Sequence, residues 1–410
     1  MALLKLIFLF FFLVFLLKKR WLLGHALFLS AILCGLIQNL SILQICFSFI
    51  TAITYKQNLL LACVIISILI FAHSLEKTGY IRHIIDVFQG VFPWPRLNLM
   101  ILPALIGLLP MPGGAIFSAP FIEEIAKHYK IPRTQQAIIN YWFRHSWEYS
   151  WPLYPGLLLT VHLGQVGLFE LAIIDLPIMI LSFLFGYIFF LSPVKGKSFT
   201  LKGQFWIFLK EIAPILTVIF LAGGSELIFY FLPRELFIIL AVWVGIIWVW
   251  IRKKITLFQL YTILKDKTLL KVLYAVMAIF SFKQILIDSQ IVLYANKTLI
   301  NYHIPIAFIA FFLPFLVGLT IGLTLAFVGS TFPFIFSLLE TTHTPLLPYA
   351  MLAYSSGIIG VLLSPMHLCL VLSIEYFHVE FSKIHQQLYW PCILMLFCII
   401  IWFVFLKWLY

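Results

Sequence analysis

The sequence predicts an all-α fold: a polytopic bundle of transmembrane helices with about ten crossings and two re-entrant helical hairpins. Three observations predict it. Hydrophobic residues fill 63% of the 410 positions and charged residues only 10%, whereas soluble domains carry about 25% charged residues. Several apolar runs reach the roughly 20 residues that span hydrocarbon as helix. Aromatic residues, chiefly Phe, reach 17%, and Trp21, Trp250 and Trp390 stand at the ends of apolar runs, where an interfacial belt places them.

The charge pattern agrees. The formal net charge is +12, and the basic residues sit in short loops between apolar runs, at 18–20, 195–202 and 252–271. Such clusters set topology by facing the cytoplasm. A nucleic-acid partner would need a continuous basic face on a folded surface, so none is expected. The six cysteines lie inside apolar runs without a CxxC pair and read as small packing residues, so no metal and no cofactor is expected. The Lys18-Lys19-Arg20 cluster follows the first apolar run instead of preceding it. That run therefore reads as a first membrane helix with an external N-terminus, not as a cleavable signal.

In chain order, residues 3–17 and 21–38 form the first two crossings. Residues 39–55 mix Ser, Thr and Gln with Ile and Phe, which suits a short interfacial or half-depth helix. Residues 58–75 make a third crossing, followed by an amphipathic segment at 80–92. Two arms, 97–109 and 115–126, are each too short to span and flank Pro110-Met111-Pro112-Gly113-Gly114. Proline cannot donate to a helix ladder and glycine takes backbone angles that other residues refuse. A hairpin over about 97–126 follows, entering and leaving from the cytoplasm because both its ends carry positive charge. Residues 135–162 can cross, but Trp151-Pro152 and Pro155-Gly156 interrupt them, which makes a broken helix. Crossings at 169–191, 204–221 (closed by Gly223-Gly224), 235–251 and about 271–286 come next. After polar residues at 288–303, a second hairpin covers about 305–339, with its tip at 327–331. A second broken helix, 346–376, is interrupted at Ser364-Pro365, and 389–406 is the last crossing.

The two hairpin and broken-helix units match each other. Pro120 and Pro333, Pro132 and Pro345, Tyr141 and Tyr354, and Pro152 and Pro365 are each 213 positions apart. LPALIGL from Leu102 and LPFLVGL from Leu313 are 211 apart. The chain thus divides into repeats at 1–200 and 201–410. An odd number of crossings between matching elements inverts the second repeat. Inverted repeats whose broken helices meet near the midplane are a recurring plan among secondary transporters.

The stretches LPALIGLLPMPGGAIFSAP, NYWFRHSWEYSWPLYPG and YSSGIIGVLLSPMHLCLVLSIEYF resemble the domain of unknown function 401 family. That prokaryotic integral membrane family is itself similar to the ion transporter superfamily of gluconate, dicarboxylate, citrate and lactate carriers. The resemblance covers most of the chain. It implies paired re-entrant hairpins, inverted repeats and uptake of anions coupled to Na⁺ or H⁺. It also implies a plasma-membrane location and, commonly, a homodimer. Some superfamily members carry Ser-Asn-Thr at their hairpin tips, whereas the tips here read Pro-Gly-Gly-Ala and Gly-Ser-Thr.

Candidate site residues follow from these breaks. A half-helix N-terminus offers free N–H groups and partial positive charge to an anion. Gly113, Gly114 and Ser118 are the candidates at the first tip, and Gly329, Ser330 and Thr331 at the second. The hydroxyls of Ser330 and Thr331 also suit a coupling ion, while the glycines equally suit tight helix packing. Arg144 and Glu148 are four apart on one helical face and can pair, and a guanidinium fork also fits a carboxylate solute. His145 and His367 lie beside the two breaks and can carry a coupling proton or serve structure alone; Glu148 joins them as an ion-coupling candidate. Asn140, Tyr154, Tyr354, Ser355 and Ser356 are candidate polar lining. Neither HExxH nor a phosphate loop is present, so an enzyme is not expected. The rival readings are an ion channel and a membrane-embedded enzyme built on Arg144, His145 and Glu148.

Overall fold

The computed structural model describes every residue except 1, 89–90, 93, 112, 195–203, 229–232 and 343. Pro112 of the first tip and the Lys195, Lys197 and Lys202 loop therefore lie outside the described residues. Among the described residues there is no strand.

Among the described residues, twenty α-helices fall into two sets of ten. The first set is α1 (Ala2–Lys18), α2 (Leu23–Ile37), α3 (Ile42–Thr54), α4 (Lys56–Lys77), α5 (Tyr80–Phe88), α6 (Pro95–Gly107), α7 (Ala115–Tyr129), α8 (Arg133–His145), α9 (Pro155–Gly164) and α10 (Leu168–Gly186). The second is α11 (Gln204–Ile228), α12 (Arg234–Lys253), α13 (Leu257–Leu264), α14 (Lys267–Asp288), α15 (Ile291–Asn301), α16 (Ile306–Ile321), α17 (Thr324–Thr341), α18 (Leu346–Leu363), α19 (Leu368–Phe377) and α20 (Phe381–Leu409). A 3-10 turn at Ser146–Tyr149 follows α8, and a π turn at Tyr187–Leu191 follows α10.

The helix starts recur. Leu23 and Arg234, Lys56 and Lys267, Tyr80 and Ile291, and Pro95 and Ile306 are 211 apart. Arg133 and Leu346, Pro155 and Leu368, and Leu168 and Phe381 are 213 apart. The local chemistry that starts them recurs too. Pro132 and Pro345 precede α8 and α18, where a fixed φ near −65° presets the first turn. Capping boxes Ser41/Gln44 and Thr256/Gln259 open α3 and α13, each satisfying two otherwise orphaned N–H groups.

The packing recurs with the halves exchanged. Helix α2 lies on α14 as α12 lies on α4, α6 on α8 as α16 on α18, and α9 on α17 as α19 on α7. Contacts that survive such an exchange describe an approximate two-fold relation between the halves. One detail is sharp. A Cβ on Gly107 would collide with the Arg144 carbonyl oxygen, and a Cβ on Gly318 with the Gly357 carbonyl oxygen. Both members of these pairs correspond, 107 to 318 and 144 to 357, so each hairpin arm touches the backbone of its broken helix at the same register.

Eight helical segments are long and apolar enough to cross a membrane: Lys56–Lys77, Leu168–Leu191, Phe205–Gly223, Arg234–Lys253, Leu257–Asp288, Thr324–Thr341, Leu346–Phe377 and Phe381–Leu409. This is a multi-pass membrane protein. Seven of the ten expected crossings coincide with these segments; the first, second and fourth are shorter helices. Helix α20 turns Trp390, Ile393, Phe397, Ile401, Val404 and Trp408 outward, an apolar face that only lipid suits. Helix α3 has 13 residues, about 20 Å, and is too short to span.

Two expectations need correction. Gly223-Gly224 does not close a helix, because α11 runs on to Ile228; Gly223 instead makes room for the Phe169 ring, which a Cβ would meet at 2.8 Å. The second hairpin turns at Gly322-Leu323, not at 327–331. Gly322 takes φ +72° and Leu323 is extended, which ends α16 and starts α17.

Candidate functional site

The four interruptions meet. Residues between α6 and α7, between α8 and α9, between α16 and α17, and between α18 and α19 all border one cavity of about 300 Å³. Each break arises from local chemistry. Gly113 at φ +74° and Gly322 at φ +72° turn the two hairpins in the left-handed region that glycine favours. The α8–α9 and α18–α19 breaks each contain a proline, Pro152 and Pro365, that cannot continue the ladder. Helices α2, α4 and α14 close the remaining side through Leu23, Leu69 and Val272.

A charged cluster occupies the cavity wall. Arg144 and Glu148 are each 2% exposed and His145 1%. The Arg144 guanidinium donates through Nη2 to the Met111 carbonyl at 2.6 Å, which ties the first broken helix to the first tip. Its Nη1 lies 3.9 Å from Glu148 Oε1 and 3.5 Å from His145 Nε2. Its Nε has no partner among the described residues. A Cβ on Gly114 would come within 2.6 Å of this guanidinium, so Gly114 serves as its floor.

Glu148 is held from both halves. Tyr154 donates its hydroxyl to Oε1, and Thr324 of the second hairpin donates to Oε2 at 3.4 Å. The Glu148 backbone carbonyl accepts from Tyr354 at 3.0 Å. In the opposite sense, Tyr141 donates to the Leu362 carbonyl at 2.9 Å. Tyr141 and Tyr354 correspond across the repeat, so each broken helix reaches into the break of the other.

The two histidines meet across the halves, with His145 Nε2 2.9 Å from His367 Nε2. His145 Nδ1 lies 2.7 Å from the Tyr141 carbonyl oxygen and His367 Nδ1 2.7 Å from that of Gly322. Cys369 joins them, and the two ring nitrogens and the sulfur lie within 4.8 Å of one another.

Several expected residues stand elsewhere. Ser118 bonds back to the Ala115 carbonyl, and Asn140 donates to Ala115 O at 2.9 Å and to Ser373 at 3.1 Å; both are packed beneath the first tip. Ser356 bonds to Phe311 O, and Ser355 to Asp175 at 3.3 Å, away from the cavity. Gly329, Ser330 and Thr331 lie inside α17. The hydroxyls of Ser330 and Thr331 return to the carbonyls of Ala326 and Phe327, and Gly329 packs on Ile279. They are neither a tip nor a cavity lining, because a glycine that admits a neighbouring side chain carries the same letter as one that unwinds a helix. Arg144 and Glu148 do not share a continuous α-helix either: α8 ends at His145, and Glu148 sits on the 3-10 turn.

Other residues gain a place. Cys369 is not simply packing, and Thr324 and the Met111 carbonyl contribute directly. Asp175 is fully buried in α10, with its Oδ2 lacking a partner among the described residues. An acid well inside an apolar run, beyond Glu170 of the first turn, was its signal, since ionisable residues at membrane depth are costly.

Among curated proteins, none matches the chain. The family described as protein of unknown function (DUF401) matches residues 2–407. That span takes in both sets of helices and every residue of the cavity, and the chain belongs to this family.

Proposed function

We propose that this protein is a secondary active transporter, moving a small anionic solute by alternating access with H⁺ or Na⁺ as the coupling ion. On this reading it works in the plasma membrane of a prokaryote, and the resemblance adds a homodimer. The observation that carries it is the pair of exchange-related mouths. The cavity opens past Leu22, Thr268 and Lys271 on α14 and the segment leading into α2. Shifted by 211, these positions become Pro233, Gln57 and Leu60. Those three residues line a separate surface groove of about 500 Å³. Deeper positions correspond as well: Val272 and Ala275 of the cavity match Leu61 and Val64, which border a pocket of only about 10 Å³. One repeat thus has its vestibule open to the charged cluster, and the other has it shut.

A carrier needs both states, and a repeat whose two copies adopt one each supports the reading. The open mouth lies by Lys271 and next to the Lys18-Lys19-Arg20 cluster, so the basic loops assign it to the cytoplasmic side. The shut side is laced by Arg234, whose Nη1 donates to the Val166 carbonyl at 2.7 Å and so joins α12 to the α9–α10 connection. Arg144, whose Nε lacks a partner among the described residues, provides the fork for a carboxylate. Glu148 and the histidine pair provide groups that can exchange a proton in the same cavity.

The test begins with a thermal-shift screen of purified protein against succinate, citrate, inorganic phosphate and Na⁺. The best anion is then followed as radiolabelled uptake into proteoliposomes. Anion-dependent stabilisation, uptake that a protonophore or a Na⁺ ionophore collapses, and loss of both in Arg144→Lys are expected. Stabilisation and uptake that persist undiminished in Arg144→Lys would remove the anion role, since lysine lacks the planar fork.

A further inference from the structure

We propose that His145, His367 and Cys369 form a binding site for a borderline-soft divalent cation of the Zn²⁺ type, built from both halves of the molecule. The proposal deepens the transport reading by making the cation a component of the solute site, and its test does not require transport.

The argument starts from the ring nitrogens. A carbonyl oxygen only accepts, so the Nδ1 atoms facing Tyr141 O and Gly322 O at 2.7 Å must both carry hydrogen. In two neutral rings the Nε2 atoms are then both bare. Yet they face each other at 2.9 Å, lone pair to lone pair. Such an arrangement needs a cation shared between them. Arg144 Nη1 donates a long hydrogen bond, 3.5 Å, to His145 Nε2, but it reaches that ring alone and leaves the two nitrogens facing each other.

Metal-ligating histidines show the same arrangement: one nitrogen is fixed by a backbone carbonyl, which orients the ring and leaves the other free to ligate. Here that orientation is present in both rings, and a thiol stands beside them. Two imidazoles and one sulfur suit zinc and its spectroscopic stand-in cobalt better than magnesium or calcium, which take oxygen. The two nitrogens require little adjustment, while the sulfur, within 4.8 Å of them, closes to about 3.5 Å. A tetrahedral ion at about 2.0–2.1 Å from each nitrogen and about 2.3 Å from sulfur needs the nitrogens about 3.3 Å apart. From 2.9 Å, each ring retreats by about 0.2 Å. Three protein ligands leave a fourth position, and Glu148 Oε1, 3.8 Å from His145 Nε2, supplies the nearby negative charge. All three ligand residues line the cavity, which gives the ion a way in.

The ligands also explain a feature of the repeat. His367 corresponds to Tyr154 and Cys369 to Gly156, so the site is not duplicated. One ion joins the two broken helices at their breaks.

The experiment is cobalt titration of the full-length protein in detergent, read in the near-ultraviolet and visible, with Zn²⁺ as competitor. One equivalent of Co²⁺ should give a thiolate-to-cobalt charge-transfer band that Zn²⁺ abolishes. Cys369→Ser should remove that band while leaving metal-free thermal unfolding unchanged, because the two side chains are nearly the same size. His367→Gln should weaken Zn²⁺ binding by at least about tenfold, the lower end of what even an outer-shell change costs. A band that survives in Cys369→Ser arises from another cysteine and overturns the proposal. So does the absence of any band in the parent protein, which would leave the pair bridged by a proton alone. Failure here leaves anion stabilisation and uptake unaffected, while failure of the uptake test leaves the cobalt spectrum unaffected.

Discussion

The open vestibule between α2 and α14 and its shut counterpart between α12 and α4 are built from the same helices at the same register. Ala275, 6% exposed, lines the open cavity of about 300 Å³; Val64, 211 positions earlier and 0% exposed, borders only the pocket of about 10 Å³ on the shut side. The difference is therefore one of conformation more than of architecture. The chemistry is unequal as well. Arg144, His145 and Glu148 correspond to Gly357, Ile358 and Val361, so the first broken helix carries the charge and the second supplies a packing surface. The comparison teaches a division of labour: the repeated backbone supplies two corresponding vestibules, one open and one shut, and a single unrepeated cluster supplies the charged groups between them.

The largest expected effect tests the vestibules. In a background with Cys46 and Cys63, both exposed, replaced by serine, N-ethylmaleimide should label Ala275→Cys at least about a hundredfold faster than Val64→Cys. That ratio corresponds to a shut state favoured by about 2.7 kcal/mol. Adding Arg234→Ala, which cuts the tie to Val166, should raise labelling of Val64→Cys and lower that of Ala275→Cys. If both cysteines react at the same rate, the two vestibules are not alternative states of one device.

How much of this was legible depends on which letters carry a unique physical meaning. Proline removes a donor wherever it stands, and the breaks at Pro152 and Pro365 and the first tip beside Pro110 could be read from it, although the same letter at Pro120 and Pro333 lies inside α7 and α17. The register of 211 to 213 could be read from those same prolines. Glycine is ambiguous. Gly329 looks like a tip beside Ser330 and Thr331, but its missing Cβ admits Ile279, whereas Gly322, seven positions earlier, makes the turn. The cluster around Arg144 announced itself because charge is rare in apolar helix. Cys369 did not, since a cysteine in a membrane run is most often packing and one of its two partners, His145, lies more than 200 residues away.

The next effect tests whether the halves are equal scaffolds. Gly107→Ala and Gly318→Ala each drive a methyl into a backbone carbonyl of the adjacent broken helix. Overpacking of this kind costs about 1–3 kcal/mol. Both variants should lower the thermal unfolding midpoint by similar amounts, measured in detergent without added ligand. A large effect in one and none in the other would mean that the two arms bear on their broken helices differently, whatever the matching register suggests.

The smallest effect separates scaffold from site. Tyr141→Phe and Tyr354→Phe each leave a buried carbonyl without its donor, Leu362 O and Glu148 O respectively. The loss is worth about 1 kcal/mol in stability for either, so unfolding should not distinguish them. Ligand response should. Tyr354 holds the backbone of the residue whose carboxylate faces the cavity, and without it the Ser146–Tyr149 turn that carries Glu148 loses this backbone anchor to the second half and keeps the longer Thr324 contact. The Leu362 carbonyl lies one residue before the end of α18 and carries no group of the cluster. Stabilisation by the anion found in the screen should therefore fall several-fold in Tyr354→Phe and hold in Tyr141→Phe, although the two hydroxyls occupy equivalent places in a repeated fold. Equal losses in both would place the solute astride the two breaks, drawing on each half alike.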